Sequence, residues 1–165
     1  MAQPTDAALS DAQTLLLQKA EAARVAADGK DYLWGGTTTD GFDCSGFVMY
    51  VFNETYGSNT LARVTAEGLR TGGRFPRVVE APKPADLIFF SGQSGGETAT
   101  HVGIVISATR WIGSQSSTGV AYVNFSNSYW RPRILSYGRY DQLTTAQAIV
   151  PFRAGSFASI INRIA

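Results

Sequence analysis

Two of the most versatile catalytic side chains are almost missing from this chain, which has one cysteine, Cys44, and one histidine, His101, in 165 residues. A lone thiol cannot close an internal disulfide, so stability must come from packing. One Cys and one His cannot supply a closed zinc set, and neither a metal nor another cofactor is expected. Charge is scarce as well: charged residues are 16% of the chain and the net charge is +1, without the basic excess of a nucleic-acid binder. No run of about 18 apolar residues exists, so membrane insertion is not expected. The opening Met-Ala-Gln-Pro-Thr-Asp lacks a basic segment followed by an apolar core, so no cleavable signal peptide is read there. What is present is a 44% apolar composition, enough for one globular domain with a real core.

The scarce residues sit in ordered contexts. Cys44 lies in the stretch from Tyr32 to Phe52, between the Gly35-Gly36 turn and an apolar helical pattern. Asp43 is a good N-cap, which makes Cys44 the first helical residue. A thiol there meets unpaired backbone N–H groups and the positive end of the helix dipole, and both favour the nucleophilic thiolate. His101 opens the strand-like His-Val-Gly-Ile-Val-Ile. A cysteine nucleophile served by a histidine base is the starting hypothesis.

The flanking segments predict a scaffold for that pair. Ser10 to Gln13 fits a capping box, followed by an apolar stripe at Leu9, Ala12, Leu16, Ala20, Ala23 and Ala27 and a stop at Asp28-Gly29. The segment from Thr37 to Gly41 reads as a polar loop. A second helix is expected from Cys44 to Tyr56, with Phe47, Val48, Val51 and Phe52 inward and Gly57 as its stop. Thr65 to Leu69 reads as a short helix. Arg70, Arg74 and Arg77 read as a solvated face, with substrate carboxylate binding as the sharper alternative. Strands are expected at Asp86–Ser91, His101–Ile106, Arg110–Ser114 and Val120–Phe125, with Asn127–Trp130 and Ile134–Tyr140 completing the sheet. Alternation puts His101, Gly103 and Val105 on one face and Val102, Ile104 and Ile106 on the other. Helices first and strands later imply an α+β domain with an antiparallel sheet. The whole chain reads as one domain, with its core over about 10–140 and a C-terminal extension over 141–165 that includes a possible amphipathic helix from Phe157 to Ile164. Trp34, Trp111 and Trp130 read as core or cleft walls.

Four segments together resemble the NlpC/P60 cysteine peptidases: Tyr32-Leu-Trp-Gly-Gly, Phe42-Asp-Cys-Ser-Gly-Phe, Pro84-Ala-Asp-Leu-Ile-Phe-Phe and His101-Val-Gly-Ile-Val. The match runs from about Tyr32 to Tyr140. The resemblance implies a papain-like α+β fold with N-terminal helices on an antiparallel sheet. It also implies hydrolysis of peptidoglycan stem peptides, most often between γ-D-glutamate and a diamino acid. Cys44 then matches the nucleophile, His101 the general base and Tyr32 the tyrosine beside the oxyanion site, where the Cys44 N–H and the Tyr32 hydroxyl would donate. Asp43 and Ser45 match substrate-holding positions, and Trp34 joins them on the substrate side.

One position departs from the pattern. The family places a polar orienter of the imidazole about twelve residues past the base, and this chain has Gly113 there. Gln115 is the nearest polar residue on the same face and could accept the His101 N–H; Asn124 is the reserve, and a turn role for Gln115 is the alternative. An amidase using the same dyad and a catalytically silent wall-binding module are the competing functions. The expected partners are a peptidoglycan stem peptide and, for an effector injected into a rival bacterium's periplasm, a cognate immunity protein. A phage lysis enzyme is the other setting, and the chain is expected to act as a monomer.

Overall fold

The computed structural model describes residues 9–141. The helix expected from Phe157 to Ile164 lies outside the described residues.

Helix α1 spans Asp11–Ala26 and starts at the capping box. Ser10 Oγ accepts the Gln13 N–H, and Gln13 Oε1 accepts the Ser10 N–H at 2.9 Å. Leu16, Ala20 and Ala23 of the expected stripe are buried. Gln13 Nε2 also donates to the Pro84 carbonyl at 2.9 Å, which ties the helix start to the distant loop before strand β4 (Leu87–Ser91).

The segment read as a polar loop is a small hairpin. Strand β1 (Thr37–Thr38) pairs with β2 (Gly41–Phe42) across a turn at Thr39-Asp40. Helix α2 runs over Cys44–Tyr56, capped by Asp43 and stopped at Gly57, whose φ of 112° suits a residue without Cβ. Phe47, Val48, Val51 and Phe52 are all fully buried. Helix α3 (Ala66–Thr71) begins at Thr65, whose hydroxyl accepts the Gly68 N–H.

The remaining strands are β3 (Arg77–Val78), β5 (Ala99–Val105), β6 (Arg110–Gln115), β7 (Gly119–Asn124) and β8 (Ile134–Gly138). With β4 they form a six-stranded antiparallel sheet in the order β3-β8-β4-β5-β6-β7. Asn127–Trp130, expected as strand, is a turn instead. Asn127 Oδ1 accepts the N–H groups of Tyr129 and Trp130 at 3.0 and 3.1 Å, a local side-chain bond that competes with a sheet ladder.

The two sheet faces differ as strand alternation requires. Val102, Ile104 and Ile112 join Leu16, Phe47, Val51 and Phe52 in the larger core, where α1 packs on α2 and α2 on β5 and β6. Ile88, Phe90, Val105 and Trp111 form a second core on the opposite face, flanked by Val123, Trp130 and Tyr137. Asp86, fully buried, receives Arg139 Nε and Nη2 at 2.8 and 2.9 Å and the Lys83 N–H at 2.7 Å. That bidentate pair fastens the end of β8 to the start of β4. Among the described residues, no helix is long and apolar enough to cross a membrane.

Candidate active site

The start of α2 is fixed by backbone contacts. Asp43 Oδ1 accepts the Gly46 N–H at 2.6 Å, and its Oδ2 accepts the Gly35 N–H at 3.0 Å. The Asp43 N–H in turn donates to the Gly36 carbonyl at 3.0 Å. A Cβ on Gly46 would collide with that carbonyl, so the loop can lie on the helix only if this position is glycine. Ser114 Oγ, fully buried on β6, donates to the Phe42 carbonyl at 2.9 Å and sets the motif over the sheet.

Cys44 is 6% exposed, and its thiol donates to the Thr100 carbonyl at 3.9 Å. Thr100 is available because β5 is bulged there. Phe90 pairs with His101 and Ser91 with Ala99, which leaves Thr100 as the extra residue. The N–H groups of Val102, Ser45 and Cys44 favour the thiolate, as the helix-start position predicts. Burial first, and the Asp43 charge second, outweigh them and push the thiol above its ordinary value. The helix-start groups thus act as expected but against stronger opposing influences, which favour the thiol at rest.

His101 is 8% exposed and lies among aromatic rings. Trp130 stacks on it at 4.5 Å between centroids with an interplanar angle of 25°, and Phe90 and Trp111 flank it at 5.8 Å. Among the described residues its Nε2 has no hydrogen-bond partner. Burial lowers the imidazole pKa to about 4, so the ring is neutral at pH 7. Thiol and imidazole thus both rest uncharged. The sulfur's bonding partners, Thr100 and Val102, are the two neighbours of His101 along the strand.

Tyr32 reaches the same place. Its hydroxyl lies against both the N–H and the thiol of Cys44. Burial, then the neighbouring Cys44 and Asp43, push it up to about 12, so it remains a neutral donor. Trp34, on the turn between Tyr32 and Gly36, is 87% exposed, a rim residue and not a core one. Trp111 is fully buried and Trp130 half-buried.

Asp43 and Ser45 share a partner that the sequence reading did not single out. Arg63 forms an ion pair with Asp43 Oδ2 through Nη2, and its Nη1 donates to Ser45 Oγ at 2.7 Å. The signal available was that Arg63 is the only charged residue between Glu54 and Glu67. The arginines that were singled out lie elsewhere. Arg70 pairs with Glu67, Arg74 with Tyr140 and Asp141, and Arg77 is exposed.

Gln115 is buried on β6, but its amide serves its own hairpin. In the orientation that satisfies its surroundings, its nitrogen donates to the carbonyls of Gly113 and Gly119. The turn role therefore accounts for it, and no bond to it is made by His101 Nε2. Asn124 is exposed and pairs with Arg110, at the other end of the β6–β7 hairpin from Gln115.

Comparison with known proteins identifies the family. The model of the NlpC/P60 family matches residues 29–139. The chain is 37% identical over 112 residues to the "Probable peptidoglycan endopeptidase LytE" of Bacillus subtilis (strain 168), a match covering 68% of this chain and 31% of the relative. It is 37% identical over 114 residues to the "Bifunctional muramidase/DL-endopeptidase CwlT" of the same organism, covering 68% of this chain and 33% of the relative. The chain thus spans about a third of the length of these curated relatives. Among solved structures, a lipoprotein-like NLP/P60 family protein from Staphylococcus aureus subsp. aureus Mu50 superimposes with a TM-score of 0.62 at 25% identity, covering 84% of this chain and 45% of that one. With a capped cysteine at a helix start, a tyrosine at its N–H and a histidine strand beneath it, the chain belongs to the NlpC/P60 family.

Proposed function

We propose that this domain is a cysteine endopeptidase acting on peptidoglycan stem peptides, with Cys44 as nucleophile and His101 as base. The bond we assign is the one between γ-D-glutamate and the diamino acid. The observation that carries this reading is the convergence at Cys44: its thiol lies against the strand that presents His101, and the Tyr32 hydroxyl lies against its N–H. The printed names of the curated relatives, a peptidoglycan endopeptidase and a DL-endopeptidase, support the substrate class.

The neutral resting pair sets the order of events. The imidazole takes the thiol proton as sulfur attacks the scissile carbonyl, so charge separates only when the acyl group is in place. The developing oxyanion is met by the Cys44 N–H and the Tyr32 hydroxyl. The imidazolium then protonates the leaving amine, and water, activated by the same ring, hydrolyses the thioester. Asp43 and Ser45, with Trp34 at the rim, hold the amino-terminal side of the stem peptide.

Mass spectrometry of muropeptides after digestion of purified sacculi tests the proposal, with Cys44→Ala as control. The expected product is glycan carrying a dipeptide stem. Bare glycan would instead make the enzyme an N-acetylmuramoyl-L-alanine amidase, and identical patterns from wild type and Cys44→Ala would make the domain a wall-binding module.

A further inference from the structure

We infer that Trp130 is the positioning residue of the base, and that a cage of Phe90, Trp111 and Trp130 holds His101 where relatives use a polar third residue. The inference rests on the reading of His101 as the base.

Several independent features of the fold lead to it. The polar position is filled by Gly113, and the space that this frees is used by an aromatic ring. A Cβ on Gly113 would stand 3.1 Å from Trp111 Cζ3, and one on Gly103 would collide with Trp111 Cε3. Glycine at both positions lets the Trp111 indole lie across β5 and β6, edge-on to His101 at 68°. On the other side, Trp130 presents its face to the imidazole.

Trp130 is itself held. Asn127 Oδ1 accepts its N–H at 3.1 Å, and Tyr129 meets it edge-on at 5.0 Å. Tyr129 is fixed in turn by Arg133, whose Nη1 donates to the Tyr129 carbonyl at 2.6 Å and whose guanidinium lies 3.9 Å from the Tyr129 ring centre. The turn that displaced the expected strand is therefore a mount for the ring.

Two consequences bear on catalysis. With no acceptor at Nε2, nothing polar at that nitrogen selects a ring orientation, so the stacking rings must do so. When the ring takes the thiol proton, the cation faces the indole π cloud, which favours it in a dry site where Nε2–H has no carboxylate or amide to meet.

The test compares steady-state hydrolysis of a synthetic stem peptide by wild type, Trp130→Leu, Trp130→Phe and His101→Ala, with the ¹H spectrum of the single histidine. Trp130→Leu keeps an apolar side chain and loses the π face; kcat should fall about tenfold or more with KM within about twofold, since a misplaced base costs turnover and not affinity. Trp130→Phe keeps a face and should stay within about threefold of wild type. The wild-type His101 ring protons should be displaced upfield by the indole ring current. Full turnover in Trp130→Leu together with an inactive His101→Ala would overturn the cage and leave the base standing. An active His101→Ala would overturn the base itself. Should Trp130→Leu fail to fold, the other two readouts decide: unshifted ring protons, or a Trp130→Phe that loses tenfold, would overturn the inference.

Discussion

The two halves of the proposed dyad sit in contrasting environments. Cys44 sits at a polar junction where Asp43, Ser45 and Arg63 balance one another beside it. His101 sits among three aromatic rings, with a ring nitrogen that has no partner among the described residues. Burial acts first on both groups, but at the nucleophile the Asp43 charge adds to it, whereas the base is set by exclusion of water alone. Strand β5 borders both environments, and its bulge at Thr100 is where the thiol meets it.

The largest way to break this contrast is to damage one core and ask whether the other survives. Phe52 is fully buried against Phe75 and Tyr140 on the helix face. Phe52→Ala should cost about 3–5 kcal/mol of stability. Urea unfolding measures this. The protein that remains folded should keep its kcat, because the removed ring touches neither half of the dyad.

The dry environment of His101 predicts a pH signature. The unfolded imidazole takes a proton near 6.5, whereas the native one resists until about 4. Between those values the unfolded state binds more protons, so stability is greatest above pH 6.5 and falls as the pH drops. The loss is on the order of 3 kcal/mol across the window. Unfolding curves from pH 7 to 4 should show this slope for wild type and a flatter one for His101→Asn. The acid limb of kcat/KM that belongs to His101 should lie near 4 instead of 6.5.

The charged environment of Cys44 predicts a different response. Asp43 already raises the thiol, and Arg63 is its counter-ion. Arg63→Ala should slow alkylation of the single thiol by iodoacetamide at pH 7 by about tenfold, because the Asp43 charge left without its counter-ion lowers the thiolate fraction. Arg63→Lys should recover most of it. No change in the alanine variant would remove Arg63 from the electrostatic account.

How much of this was legible in the sequence follows from the range of each interaction. Helix α2 was readable to its ends because Asp43 and Gly57 are local stop signals and Phe47, Val48, Val51 and Phe52 keep helical spacing. The two faces of β5 were readable because alternation is a backbone property. Arg63 was not, since it lies in an irregular segment and its side-chain partners lie about twenty residues earlier. The bulge at Thr100 depends on the register against β4, which no residue of β5 announces. Trp130 was assigned to a strand because aromatic residues favour strands, whereas Asn127 turns the chain there. Gln115 has the expected face, but its amide is engaged by the carbonyls of its own hairpin.

The smallest predicted effect sharpens the contrast from outside both environments. Ser10→Ala removes the capping box of α1 and should cost about 1 kcal/mol, with turnover unchanged. A thermal melt and one rate measurement suffice.

Whether the two environments work as one unit is tested most directly by turnover of a stem peptide in Cys44→Ala, His101→Ala and the double variant. Each single change should cost at least about 10³-fold, and the double should be no slower than either, since neither group acts without the other. Losses that multiply in the double variant, or a His101→Ala enzyme within tenfold of wild type, would contradict the coupling of sulfur and imidazole.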